Sequence, residues 1–360
     1  MDSAPFRVHR AGVAGGRGGV VPCPAGRVAS GTRWPRNGVA PAAGAPRIPS
    51  APDFPATVFG MSLAGSPAAM SNPRADRVRE VARLAGRSGR VRAGQFLAEG
   101  PQSVREALRL HRERAAAGAE PVVDQLYATA ECLDRSPDLA ELAQGAPLRL
   151  ATDAVLAAMA DTVTPQGILA VCRMPHATLD DVLSRGPRLV AVMCRVQDPG
   201  NAGTVLRAAD AAGADAVLLT EGSVDIFNPK AVRSTAGSLF HLPVVTGLSF
   251  GEGVDTLRAA GLAVLAADGY GATDLDELQD RSAARRLAPG AGNDGGAAAA
   301  RLEAPTAWLF GNEAAGLSDA ELAAADHRVA VPLYGVAESL NVGTAATVCL
   351  YASARAQRRG

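Results

Sequence analysis

Three short segments combine polar side chains with glycines that leave backbone groups open. In QDPGNAGTVLRAADAAG, Gly200 and Gly203 flank Asn201 where a strand turns into a helix, and Arg207 follows six residues after Asn201. In LFGNEAAGLS a strand ends at Gly311, and Asn312 and Glu313 precede a turn at Gly316. In VPLYGVAESLNVGTAATVCLYA, Pro332, Tyr334 and Gly335 make an irregular loop before Ser339 and Asn341, which open a helix. All three lie at the C-terminal ends of predicted strands, where open α/β sheets bind ligands and where exposed N–H groups, an amide, a carboxylate and a guanidinium can orient a polar substrate. Each segment also has a plain structural reading. Arg207, beside Ala208 and Ala209, reads equally as an exposed surface arginine, Glu313 as a helix cap or solvated carboxylate, and Ser339 as a helix cap. The glycine spacing does not match GxGxxG, which argues against a dinucleotide-binding oxidoreductase.

Apolar periodicity supplies the elements that position these segments. Order is expected to begin at Asn72 and Pro73, an N-cap and first helical residue ahead of Val78, Val81, Ala82 and Ala85. GQFLAEG reads as a strand, residues 101–118 as a helix on Val104, Ala107 and Leu108, VVDQLYAT as a strand, residues 152–160 as a short helix, and GILAVCR as a strand. Together they make a small α/β domain over residues 71–173, followed by a linker over residues 174–187. The second domain, residues 188–357, opens with the apolar strand RLVAVMCRV, then a helix over residues 201–212 and the strand AVLLT. HLPVV, LAVLAA, TAWLFG and HRVAVPL add strands, and a long helix runs from about residue 340. This alternation predicts a mainly parallel sheet covered on both faces. Residues 281–304, rich in Gly and Ala without a core face, read as a disordered insertion, and residues 1–70 as a disordered extension. Met61 and Met70, just ahead of the first helix signal, suggest an over-extended start, with an Arg-rich transit segment as the alternative.

At 360 residues the chain has room for two or three domains with buried cores. Its 36 basic and 36 acidic side chains cancel, and the balance alone points to neither nucleic acid nor membrane. The distribution says more. Residues 1–70 hold seven Arg against two Asp, and residues 71–120 hold eleven Arg against six acids, so the positive charge is concentrated N-terminally. Cys23, Cys132, Cys172, Cys194 and Cys349 show no CxxC or metal-ligand spacing and read as reduced residues of a cytoplasmic protein without a metal site. The one apolar candidate for a membrane span, residues 54–70, is broken by Pro55, Gly60, Gly65 and Pro67, so neither a span nor a signal peptide is expected.

Taken together and in order, the three segments resemble the motifs of the SpoU (TrmH) family of S-adenosylmethionine-dependent RNA 2′-O-ribose methyltransferases: NxG with Arg six after the Asn, FGNExxGL, and VPLxGxxESLNVGTA. The resemblance covers residues 71–357, and FLAEGPQSVREAL and TPQG look like the substrate-binding domain that precedes the catalytic domain in this family. It implies an α/β fold of the SPOUT type, a parallel sheet with a C-terminal trefoil knot, preceded by a small α/β RNA-binding domain. It also implies that S-adenosylmethionine is held by loops at residues 219–222, 309–316 and 331–341. Gly311, Val331 and Leu340 would be the leading contacts, with Thr220, Gly222, Asn312 and Leu333 beside them, glycine at 311 letting backbone approach the donor.

By the same resemblance Arg207 is the principal catalytic residue, with Asn201, Glu313, Ser339 and Asn341 as orienting residues. Arginine stays protonated in proteins. Arg207 is therefore expected to clamp a neighbouring phosphate and stabilise the developing alkoxide, with phosphate or water taking the proton, and Glu313 to fix its guanidinium by a bidentate pair. Asn341 is expected to bond the ribose or the donor carboxylate. The implied partners are RNA, with rRNA favoured over tRNA by the separate N-terminal domain, and a second copy of the chain in a homodimer. Arg87, Arg90 and Arg92 are the expected RNA contacts. A non-catalytic RNA-binding protein of the same fold is the competing reading, and the intact set Asn201, Arg207, Glu313 and Asn341 favours the enzyme.

Overall fold

The computed structural model describes residues 69–287 and 299–358. The expectations for residues 1–68 and for the middle of the insertion, 288–298, lie outside the described residues. The first sheet contains β1 (Gln95–Glu99), β2 (Val123–Ala128), β3 (Leu148–Leu150) and β4 (Ile168–Arg173) in the order β1-β4-β2-β3, with β4 antiparallel to both of its neighbours. The second contains β5 (Leu189–Met193), β6 (Ala216–Thr220), β7 (Val244–Leu248), β8 (Ala263–Ala267), β9 (Thr273–Asp274), β10 (Thr306–Phe310) and β11 (His327–Ala330). Their order is β7-β6-β5-β10-β8-β11-β9, and every pairing is parallel. The continuous apolar runs LVAVM and TAWLF form the central strands β5 and β10, buried along their whole length because helices cover both faces. From β5 the chain winds outward through β6 and β7, then returns to the other side of β5. The crevice beyond the C-terminal ends of β5 and β10 is therefore the switch point at which such sheets bind ligands.

Local chemistry fixes the helices that frame this crevice. The side chain of Asp198 accepts from the Asn201 N–H, Pro199 occupies the first turn, and Gly213 closes the helix Pro199–Ala212 in a left-handed conformation. The C-terminal helix Val342–Arg358 packs on it. Trp308 of β10, fully buried, donates its indole N–H to Ser353 Oγ of that helix at 2.9 Å.

Several sequence expectations are corrected. Order begins before Asn72: the Met70 N–H donates to Leu150 O at 2.8 Å. Asn72 caps a turn through its Oδ1 and the Arg74 N–H, and the first helix is Asp76–Ala82, so Pro73 is not its first residue. The expected linker is ordered. It contains the helix Leu179–Leu183, opened by a capping box between Thr178 and Asp181, with Val182 buried in the core of the second sheet. The expected insertion is ordered at both ends: the helix Leu275–Leu287 runs into it, Leu302 is fully buried, and Arg285 pairs with Glu303 at 3.0 Å. Ala and Arg in residues 281–287 are helix formers whose one buried side chain, Ser282, is too weak a periodic signal to be seen.

The two sheets share one hydrophobic core. Phe96 of β1 packs on Phe227 and Phe240, with ring centroids 5.1 and 6.0 Å away. Three polar clusters cross the same boundary. Glu99 accepts from Arg233, and His241 sits between Asp210 and Glu106. Burial disfavours the His241 cation, but the two carboxylates outweigh it and raise its pKa. Arg90, expected to contact RNA, is 1% exposed: it pairs with Asp225 at 2.7 Å and donates to the carbonyls of Leu84 and Ala85. Arg90→Ala leaves Asp225 without its cation, and a loss of about 3–5 kcal/mol is expected in urea denaturation.

Candidate active site

At the switch point lies a cleft of about 610 Å³. Its walls are the loop after β10, residues 311–317, and the segment after β11, residues 331–341; Asp268 and Tyr270 stand at one side, and Phe310 and Ala345 belong to its apolar lining. The 311–317 loop is a small closed unit in which Asn312 N and Gly316 N each donate to the other residue's carbonyl. Asn312 Oδ1 accepts from Ala314 N and Ala315 N, and its Nδ2 donates to Arg195 O at 3.0 Å. A Cβ on Gly311 would lie 2.4 Å from Gly316 C and Leu317 N. Glycine at 311 is therefore required by the loop's own closure, in addition to its place in the lining of the cleft. A branched residue there breaks the loop itself.

Glu313 projects from this loop across to the start of the helix Pro199–Ala212. Its carboxylate accepts from Gln197 N at 3.2 Å, Asp198 N at 3.0 Å and Asn201 Nδ2 at 3.1 Å. Asn201 Oδ1 accepts from Asn341 Nδ2 at 2.9 Å, and Asn341 Oδ1 caps the C-terminal helix by accepting from Gly343 N. The three motif segments are thus tied by one chain of hydrogen bonds. Burial pushes the Glu313 carboxyl upward, but these donors and its own N–H hold it below the usual carboxylate range. A carboxylate so occupied is an anchor and a poor base.

Arg207 stands apart from this chain. Six residues place it about 120° around the helix from Asn201. It is exposed, does not line the cleft and makes no ion pair among the described residues, so the expected bidentate pair with Glu313 does not form. Ser339 lines the cleft exposed to solvent, and the helix cap is Asn341. Of the expected donor contacts, Gly311, Asn312, Val331, Leu333 and Leu340 line the cleft. Thr220 and Gly222 do not: Thr220 Oγ1 accepts from Arg195 N, and Gly222 faces the Arg195 side chain.

Arg195 was not singled out in the sequence and organises this corner. It holds φ at +56°, a left-handed conformation that non-glycine residues seldom adopt. Its guanidinium forks onto Glu321 at 2.9 and 2.6 Å, and its carbonyl holds Asn312. No local pattern announces it, because Glu321 lies far away in the chain. Asp198 was not singled out either, but Asp-Pro at a strand-to-helix turn is a signal that could have found it. Among the described residues no group of three metal-ligating side chains occurs, and no helix is long and apolar enough to cross a membrane.

Comparison with known proteins gives the chain its family. The sequence profile of the SpoU rRNA Methylase family matches residues 188–351, and that of an MRM3-like substrate binding domain matches residues 75–170. The chain is 34% identical over 275 residues to the 23S rRNA (guanosine(2553)-2'-O)-methyltransferase RlmP of Bacillus subtilis, covering 76% of this chain and 94% of that one. This chain belongs to the SpoU rRNA methylase family. A second family member, the 23S rRNA (uridine(2479)-2'-O)-methyltransferase of Streptomyces viridochromogenes, is 31% identical over 77% of this chain and 88% of its own. The crystal structure of the SpoU methyltransferase AviRb from Streptomyces viridochromogenes in complex with the cofactor AdoMet aligns with a TM-score of 0.62 and 32% identity, covering 79% of this chain and 98% of that one. Both walls of the cleft, residues 311–317 and 331–341, lie within the matched residues 188–351.

Proposed function

We propose that the protein transfers a methyl group from S-adenosylmethionine to a ribose 2′-hydroxyl of 23S rRNA. The observation that carries this reading is the hydrogen-bonded chain Glu313–Asn201–Asn341, which joins all three motif segments at one edge of a cleft of about 610 Å³. The cleft suits the donor chemically, with apolar Phe310, Val331 and Ala345 for a nucleoside, backbone of the 311–317 and 331–341 segments for its polar edge, and the carboxylate of Glu338 for a cationic group. S-adenosylmethionine supplies an electrophilic sulfonium methyl group. Gly311–Leu317 and Val331–Leu340 bind and orient it, and Asn201 and Asn341 fix the ribose side of the cleft. Arg207 offers a permanent positive charge to the oxygen that develops negative charge, and clamps the adjoining phosphate; the proton passes to phosphate or water.

Arg207 is exposed and does not line its own cleft, which supports a site completed by a second copy of the chain. Thr204 and Arg207 on one helix and Thr344, Val348, Tyr351 and Arg355 on the C-terminal helix share an exposed face, with Val348 and Tyr351 37% and 49% exposed. A homodimer on this face covers its apolar residues and carries each Arg207 toward the partner's cleft. Residues 331–341 are read as part of a C-terminal trefoil knot, a reading supported by their place beside the 311–317 loop in the cleft wall. The protein works in the cytoplasm without a metal ion. Incubation with methyl-labelled S-adenosylmethionine and protein-free 23S rRNA tests the reading: one ribose-methylated nucleotide, resistant to alkaline cleavage on its 3′ side, is expected. Base methylation, or label in tRNA alone, overturns it.

A further inference from the structure

Removing Arg90 from the expected RNA contacts leaves a different set of arginines beside it. The turn Arg83–Ala85 and the helix Arg87–Ala93 meet at backbone distance, since a Cβ on Gly89 would fall 2.1 Å from Arg83 O. That close approach shapes a groove of about 270 Å³ whose lining includes Arg77, Arg83 and Arg92, with Glu80 as its one acid. Glu80 is paired with Arg77. Arg83 and Arg92 are exposed and make no ion pair or side-chain hydrogen bond among the described residues, as is also true of Arg74 and Arg87 nearby. Val91, 70% exposed, stands in the same helix.

We infer that this groove docks the phosphate backbone of the rRNA substrate, with Arg83 and Arg92 as its contacts. The inference rests on the rRNA reading above and deepens it. Two unpaired guanidinium groups in one groove match phosphate oxygens, which accept their forked donors bidentately and release counterions. The groove is also tied to the active site. Arg90 anchors its helix to Asp225, in the loop after β6; the neighbouring Val224 N–H donates to Val196 O at 2.8 Å, next to the Gln197 and Asp198 N–H groups that Glu313 holds. Strand bound in the groove is thereby held at a set position relative to the cleft.

The test compares wild type with Arg83→Glu/Arg92→Glu and the milder Arg83→Gln/Arg92→Gln, titrated with a 23S rRNA transcript over a range of salt concentrations. Expected are roughly tenfold or greater weakening of RNA affinity at low salt for the glutamate pair, a smaller loss for the glutamine pair, and a salt dependence reduced by about two counterions. S-adenosylmethionine affinity, thermal midpoint and turnover at saturating RNA stay as in wild type. Unchanged RNA affinity in both variants, with wild-type methylation intact, overturns the groove and leaves the functional reading standing. Unchanged affinity for naked RNA but failed methylation of ribosomal particles assigns the groove to a protein partner and also overturns it. If wild type neither binds nor methylates the transcript, both readings fall together.

Discussion

Methyl transfer by Arg207→Ala falls about a hundredfold or more, the usual consequence of removing a donor that stabilises transition-state charge, while S-adenosylmethionine affinity stays within a few-fold. The geometry demands this split. Arg207 does not line the cleft, so donor binding has no contact to lose within one chain. It also holds no ion pair among the described residues, so its removal leaves no orphaned acid and the fold keeps its stability. Arg207→Lys preserves charge but loses the planar fork, and recovers only part of the rate. Calorimetric titration of the donor alongside single-turnover rates checks both halves. Near-normal turnover in Arg207→Ala sinks the assignment, and a collapse of donor affinity shows that the side chain serves the cleft after all.

Glu313→Ala acts through position. The carboxylate gathers two backbone N–H groups and the Asn201 amide, and Asn201 in turn holds Asn341. Without it, the loop after β10 and the start of the helix Pro199–Ala212 lose their common anchor, and misplacement by about 1 Å at reacting groups is enough to cost about a hundredfold in rate. Because Glu313 and Asn201 act as one unit, Glu313→Ala/Asn201→Ala is expected to lose little more than the worse single variant. Glu313→Gln keeps one acceptor oxygen and recovers part of the rate. Single-turnover measurements on wild type, Glu313→Ala, Asn201→Ala and the double variant decide the matter: fully multiplicative losses mean the two side chains work independently.

Those parts of the fold that depend on continuous apolar runs could be read from the sequence, because strands buried on both faces leave an unmistakable stretch such as LVAVM or TAWLF. The site was legible as three glycine-rich segments at strand ends. What their side chains do to one another was not. Asn341 and Ser339 are both good caps, and only the chain's path shows that Asn341 takes the role. Gly311 carried a ligand's signature while serving backbone closure, and Arg90 carried an RNA contact's signature while buried against Asp225. Arg195 was invisible, since a left-handed arginine is stabilised by Glu321 and Asn312, partners more than a hundred residues away. Pairings between distant loops set the roles of polar residues, and composition holds no record of them.

The core shared by the two sheets gives the enzyme the character of a caliper. Domains joined by small polar contacts swing by default, whereas an apolar junction holds them at one angle. Here Phe96 packs on Phe227 and Phe240, and the ion pairs Arg90–Asp225 and Arg233–Glu99 cross the same seam. The shared core holds the two jaws at one angle. If the arginine groove grips rRNA phosphates as proposed, its span to the cleft is a built-in gauge, and a nucleotide is chosen when the RNA's own fold sets a ribose at that distance.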